Sequence, residues 1–112
     1  MEIKSYQDLL VWQKAMALVS EVYKISGQLP TQELYILVSQ MLRAAISIPS
    51  NIAEGYRRSH KLEYIQFLSI AIASAAELET QILIAKQQYK NIDCIRAQNL
   101  IVEVQKNAIL IN

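Results

Sequence analysis

Helix breakers are scarce in this chain, and their positions constrain the fold more than any other feature. Its 112 residues include two Gly and two Pro. They stand at Gly27, Pro30, Pro49 and Gly55, and neither type occurs after Gly55. Long stretches free of both residues, with apolar positions recurring at three- and four-residue steps, are the raw material of amphipathic helices. Hydrophobic residues make up 53% of the sequence, far above what a disordered chain carries. The length suits a single domain over residues 1–112, large enough to bury a core without staples.

Four helical segments follow. Ser5 and Asp8 form a capping box ahead of a helix over Tyr6 to about Ser26. Leu9, Trp12, Met16, Val19 and Tyr23 share one face of it and are expected to point inward. Gly27 is expected to stop that helix in the left-handed conformation, with Leu29-Pro30-Thr31 as the turn. The second segment runs from about Thr31 towards Arg58, with a stripe of Leu34, Leu37, Met41, Ala45, Ile48 and Ile52. Pro49 falls inside this pattern and either kinks or splits the helix; Asn51 and Glu54 could cap a fresh start. The stripe keeps its phase through Pro49, which favours one kinked, continuous helix. Ser59 is placed as the cap of a third helix reaching about Tyr89, with Ile65, Leu68, Ile72, Ala75, Leu78 and Ile82 inward. Asn91 closes it. Asp93 caps a fourth helix from Cys94 to about Leu110, where Ile101, Val104 and Ile109 face inward and Leu100 and Val102 widen the face. Short connections make neighbours antiparallel. The expected fold is all-α, an antiparallel up-down-up-down four-helix bundle with a Pro-kinked second helix.

The second helix also carries a polar stripe. Gln40, Arg43, Ser47, Asn51, Glu54 and Arg58 fall within roughly 80° of arc. Ser74, Glu77 and Gln81 form a shorter line on the third helix. Pairing the two helices about a turn near Ser59 predicts an Arg43–Glu77 ion pair, because the guanidinium fork grips a carboxylate with two hydrogen bonds. Around the same helix, Ile36, Leu42, Ile46 and Ala53 add apolar surface beyond the stripe. A helix apolar over so much of its circumference is usually buried on several sides, and soluble monomers avoid large apolar patches. Self-association is the expectation, with the polar seam structural or intersubunit.

Eleven Lys and Arg against ten Asp and Glu give a net charge of +1. A whole-protein basic footprint for nucleic acid is absent, so such binding needs a local patch. Arg57, Arg58, His60 and Lys61 share one end of the expected bundle with Lys4 and Lys106. In a cyclic oligomer each subunit would bring its copy to one rim, and repetition could build a ring of positive charge. The partners expected are therefore further copies of the chain, RNA or DNA at that rim, or another protein. No membrane partner is expected: the longest apolar stretch, Tyr64 to Ala76, falls short of the roughly 20 residues a bilayer needs. With no recognisable leader, the expected location is the cytoplasm.

Catalytic chemistry finds no footing. Glu77 and Glu79 are two residues apart and face different ways. Glu54 near Glu77 reads as a structural ion network, and His60 as a residue of a surface turn. Cys94, the one cysteine, cannot form an intrachain disulfide and reads as buried. No glycine-rich phosphate loop occurs. No enzyme, cofactor or metal is expected.

The run Ser39-Gln40-Met41-Leu42-Arg43-Ala44-Ala45-Ile46-Ser47-Ile48-Pro49-Ser50-Asn51-Ile52-Ala53-Glu54-Gly55 closely resembles the signature of the bacterial 23S rRNA intervening-sequence proteins. Asp8 to Ala15 and Ala76 to Gln81 extend the likeness over nearly the whole chain. That resemblance implies a four-helix bundle assembling as a homopentameric, barrel-like ring. It also implies kinship with the accessory protein of diversity-generating retroelements, which is strongly basic and works with a reverse transcriptase and nucleic acid. The expected function is a non-enzymatic, homo-oligomeric scaffold or adaptor with weak nucleic-acid contacts at its basic rim. The alternative is a protein-interaction module that touches no nucleic acid.

Overall fold

The computed structural model describes residues 2–111. The capping box forms: Ser5 Oγ accepts from the Gln7 N–H, and the Asp8 carboxylate reaches back to the Ser5 N–H at 3.1 Å. It caps a single 3-10 turn, Tyr6–Asp8, because Leu9 is extended. The first helix, α1, therefore begins later than expected, at Leu10, and runs Leu10–Gln28. Gly27 does not take the left-handed conformation; no described glycine has positive φ. The helix ends instead at the next residue. Leu29 sits before Pro30 in extended backbone, where proline's ring excludes the helical region from its predecessor.

The chain re-enters helix gradually. A 3-10 turn, Thr31–Glu33, leads to a π turn, Leu34–Val38, and then to α2, Ser39–Tyr56. α2 runs unbroken through Pro49, as the phase of its stripe predicted. Proline removes the N–H that would serve the Ala45 carbonyl, and the next side chains add bonds to the neighbouring carbonyls without filling that gap. Ser50 Oγ donates to the Ile46 carbonyl at 2.8 Å, and Asn51 Nδ2 to the Ser47 carbonyl at 2.7 Å. α3, Lys61–Gln88, starts without a side-chain cap; His60, not Ser59, is its capping residue. α4, Ile95–Ile111, starts one residue after the expected Cys94, and Asp93 Oδ1 accepts from the Ile95 N–H at 3.2 Å.

α2 packs along α3, α1 along α4, and the α1–α2 and α3–α4 contacts close the ring. Cross-helix pairs run in opposite senses, Lys14 with Glu103 and Glu21 with Arg96 between α1 and α4. The bundle is up-down-up-down. Its core is one continuous cluster of fully buried Leu18, Ile25, Met41, Ile48, Leu78 and Ile101 with their neighbours. Each such side chain contributes about 1.5–3 kcal/mol on leaving water.

Three stripes need correction. In α1 the buried face is Val11, Ala15, Leu18, Val22 and Ile25, one residue out of phase with the expected one. Both sets step by three and four, so α1 carries two apolar stripes. The stripe with Ala15 is fully buried; of the bulkier one, Leu9, Trp12 and Val19 pack part-buried against the core, while Met16 at 43% and Tyr23 at 56% stay exposed. In α2, Leu34 lies in the π turn and stays exposed, while the rest of its stripe is buried. In α4, Ile101, Val104 and Leu100 are buried as expected, but Val102 and Ile109 are exposed and Ala108 takes the inner position.

Candidate functional site

Two polar groupings were expected, and the structure treats them differently. The seam between α2 and α3 is real but is held by hydroxyls. Ser47 Oγ lies 2.9 Å from Ser74 Oγ, and Asn51 Nδ2 donates to the same Ser47 Oγ at 2.9 Å. Either serine hydroxyl can donate to the other, since Ser47 Oγ keeps both a proton and a second lone pair. The expected Arg43–Glu77 ion pair does not form among the described residues; both side chains are exposed. The register that sets Ser47 opposite Ser74 turns Arg43 and Glu77 to solvent. Glu77 takes a long contact of 3.5 Å from Gln81 Nε2 instead, and the Gln81 Oε1 is buried without a partner. Gln40 and Gln81 face one hollow of about 460 Å³, with Glu33, Ile36 and Ile84 beside them. Glu54 pairs with Arg58, just past the end of α2, at 3.1 Å. Within one chain, the part of the seam that joins α2 to α3 by hydrogen bonds is Ser47, Asn51 and Ser74.

At the α2–α3 end, Arg57, Arg58, His60 and Lys61 are all exposed, as is Lys4. Their charges are not equivalent. Arg58 is neutralised by Glu54 at 3.1 Å and Glu63 at 3.9 Å, and its guanidinium lies 4.9 Å from the centre of the Phe67 ring. Arg57 instead sits over the Tyr6 ring at 5.4 Å. Tyr6 is held in turn by an edge-on contact with Trp12, ring centres 5.4 Å apart. Lys4, Ser5, Tyr6, Tyr56 and Arg57 line a hollow of about 210 Å³. His60 and Lys61 lie at the start of α3 and do not line it.

Among the described residues no group of three or more His, Cys, Asp or Glu could hold a metal ion. Cys94 is buried, and burial pushes its thiol up from the ordinary value, with Lys86 pulling weakly the other way. A thiol held protonated is a poor nucleophile. Tyr64 is raised by burial and by Tyr56. Tyr89 is raised first by donating its hydroxyl to Glu33, a bond between the α3–α4 connection and the lead-in to α2.

Several ties were not anticipated. Gln28 and Asp93 clasp the two connections at the same end: the Asp93 N–H donates to Gln28 Oε1 at 2.8 Å and Gln28 Nε2 reaches the Asp93 carbonyl at 3.4 Å. Glu21 sits between Lys24 at 3.0 Å and Arg96 at 3.4 Å. The Gln28–Asp93 and Glu21–Arg96 contacts join residues 65 or more apart, beyond any local pattern. A third feature was legible in principle, since α1's second apolar stripe signalled it. Tyr6, Trp12, Met16 and Val19 meet Ile46 and Pro49 around an open, largely apolar hollow of about 330 Å³ on the α1–α2 face.

On the other side, α3 exposes Ile70, Leu83 and Ile84 at 44–51%, and Leu62 at 76%. By length and composition the Thr31–Tyr56 and Lys61–Gln88 segments could each cross a bilayer, a longer apolar span than Tyr64 to Ala76 alone suggested. In the fold both give one face to the bundle core.

A family model for the 23S rRNA-intervening sequence protein matches residues 7–112 of the chain. No curated protein matches it significantly.

Proposed function

Because the chain belongs to the 23S rRNA-intervening sequence protein family, a family of small helical proteins, we propose that it acts as a non-enzymatic, homo-oligomeric scaffold or adaptor, pentameric in form. The observation that carries this reading is apolar surface on two separate sides of one small bundle. The Trp12–Met16–Ile46 hollow lies on the α1–α2 face, and Ile70, Leu83 and Ile84 stand out along α3. Two different sticky faces on one molecule suit head-to-tail association, which closes into a ring when the rotation fits. Lipid is a poor alternative cover. Glu77 and Glu79 are exposed near the middle of α3, where a charged side chain in hydrocarbon costs about 2.5–3.5 kcal/mol.

Repeated around an axis, the basic end would form the rim that contacts RNA or DNA. A second reading, a ring that docks another protein and no nucleic acid, is favoured by the balanced net charge of +1 and by the two carboxylates on Arg58. Substitution of the apolar face tests assembly itself. Met16→Glu and Ile46→Glu should turn the oligomer into single chains while the helical circular dichroism persists. An unchanged oligomer in both variants contradicts a role for this face. RNA titration across a salt series separates the two readings, because phosphate contacts weaken steeply with salt; no binding at low salt leaves the protein-docking reading.

A further inference from the structure

We propose that the hollow between Lys4 and Arg57 is a binding site for one phosphate group, whether carried by a nucleic-acid backbone or free in solution. The inference rests on the basic-rim reading and narrows it. At the rim, Arg58 already faces Glu54 and Glu63. Among the described residues, Lys4 and Arg57 have no acidic side-chain partner within ion-pair distance. They are also the two cations that line a common concavity.

The local structure fixes both. Asp8 accepts from the backbone N–H of Lys4 at 2.8 Å and of Ser5 at 3.1 Å. This pins the N-terminal arm through its main chain and leaves the Lys4 ammonium unspent. Arg57 is the residue that ends α2. Its guanidinium lies over the Tyr6 ring, a contact that holds the plane while leaving its N–H edge able to donate. Ser5 adds a hydroxyl and Tyr56 an aromatic wall. Lys4, Arg57 and Ser5 bring an ammonium, a guanidinium and a hydroxyl to the lining of one hollow, donors of the kind that the oxygens of a phosphate accept from. The volume, about 210 Å³, is below the roughly 300–1,000 Å³ of sites that enclose drug-sized ligands. It suits a single anionic group, with any attached sugar and base lying outside.

The test is an NMR titration of the full-length protein, following the Arg57 side-chain Nε–H and the Lys4 and Ser5 amides. One arm uses inorganic phosphate, the other a short single-stranded RNA, both at low salt. Chloride at matched ionic strength is the control. Both ligands should shift these signals selectively, and Lys4→Ala or Arg57→Ala should each weaken RNA binding roughly tenfold. Arg58→Ala and Lys61→Ala should change it less than twofold. If phosphate shifts the signals and RNA does not, the site stands as one for a free phosphate and the nucleic-acid rim fails. If RNA binds but all four variants weaken it alike, the rim is diffuse and the hollow is overturned. Signals that move no more with phosphate and RNA than with chloride overturn it as well.

Discussion

Ser47 and Ser74, 27 residues apart in the chain, face each other across α2 and α3 with their hydroxyl oxygens 2.9 Å apart. Asn51 completes the group from one turn along α2. Both serines are part-buried, so Ser47→Ala strips Ser74 of this partner, while Ser74→Ala leaves Ser47 with Asn51 alone. Ser47→Ala and Ser74→Ala should each cost about 1 kcal/mol, and the double variant should cost less than their sum. Urea unfolding of the four-member cycle measures this; strict additivity would count against the bond.

Arg43 and Glu77 should behave in the opposite way. Both are exposed and no ion pair joins them. Each alanine variant is expected to change stability by no more than about 0.5 kcal/mol, and the two effects should add. A coupling well above that, measured in the same urea series, would show that the pair forms in solution.

The glycines make a sharper contrast. A Cβ on Gly55 would meet the Phe67 Cβ at 2.7 Å and the Tyr64 Cδ1 at 3.0 Å. Gly55 lets the end of α2 lie against the start of α3, and Gly55→Ala should cost about 1–3 kcal/mol. Gly27 is helical, with nothing within 4 Å of where its Cβ would stand. Gly27→Ala should stabilise by about 0.4–1 kcal/mol by restricting the unfolded chain. Thermal melts of the two variants should move in opposite directions.

Three acids sit above their ordinary values. Cys94 is raised by burial from 9.0; Tyr64 by burial and Tyr89 by its bond to Glu33 are raised from 10.0. In each case the unfolded chain loses its proton first, so stability is full below the ordinary value and is lost as pH climbs through the raised one. Denaturation midpoints should hold through neutral pH and fall above about pH 9. Tyr89→Phe should flatten part of that fall. A midpoint that rises on the alkaline side would contradict the assignment.

Much of this fold can be read along the chain, and the misreadings share a cause. The Ser5–Asp8 box, the Asp93 cap and the unbroken path through Pro49 are local events, decided within a turn or two. The inward face of α1 is not local. Leu9–Trp12–Met16 and Val11–Ala15–Leu18 are equally helical stripes, and the choice between them is made by what α2 and α4 present. The seam was legible as composition, since Ser47 and Ser74 stand on polar lines of their helices. The ion pair failed because a shift of one residue in register carries a long side chain from the interface into water. The rim was visible as a cluster of charges. Only the fold separates Arg57, stacked on Tyr6, from Arg58, which is held between two carboxylates.

The central claim is assembly, and the mass of the native protein tests it most directly. Light scattering on the purified chain, eluting from a sizing column at micromolar concentration, should give five times the 12.8 kDa of one copy. A mass of one chain, unchanged on concentration, would contradict the ring and leave the apolar faces of α1, α2 and α3 without a cover.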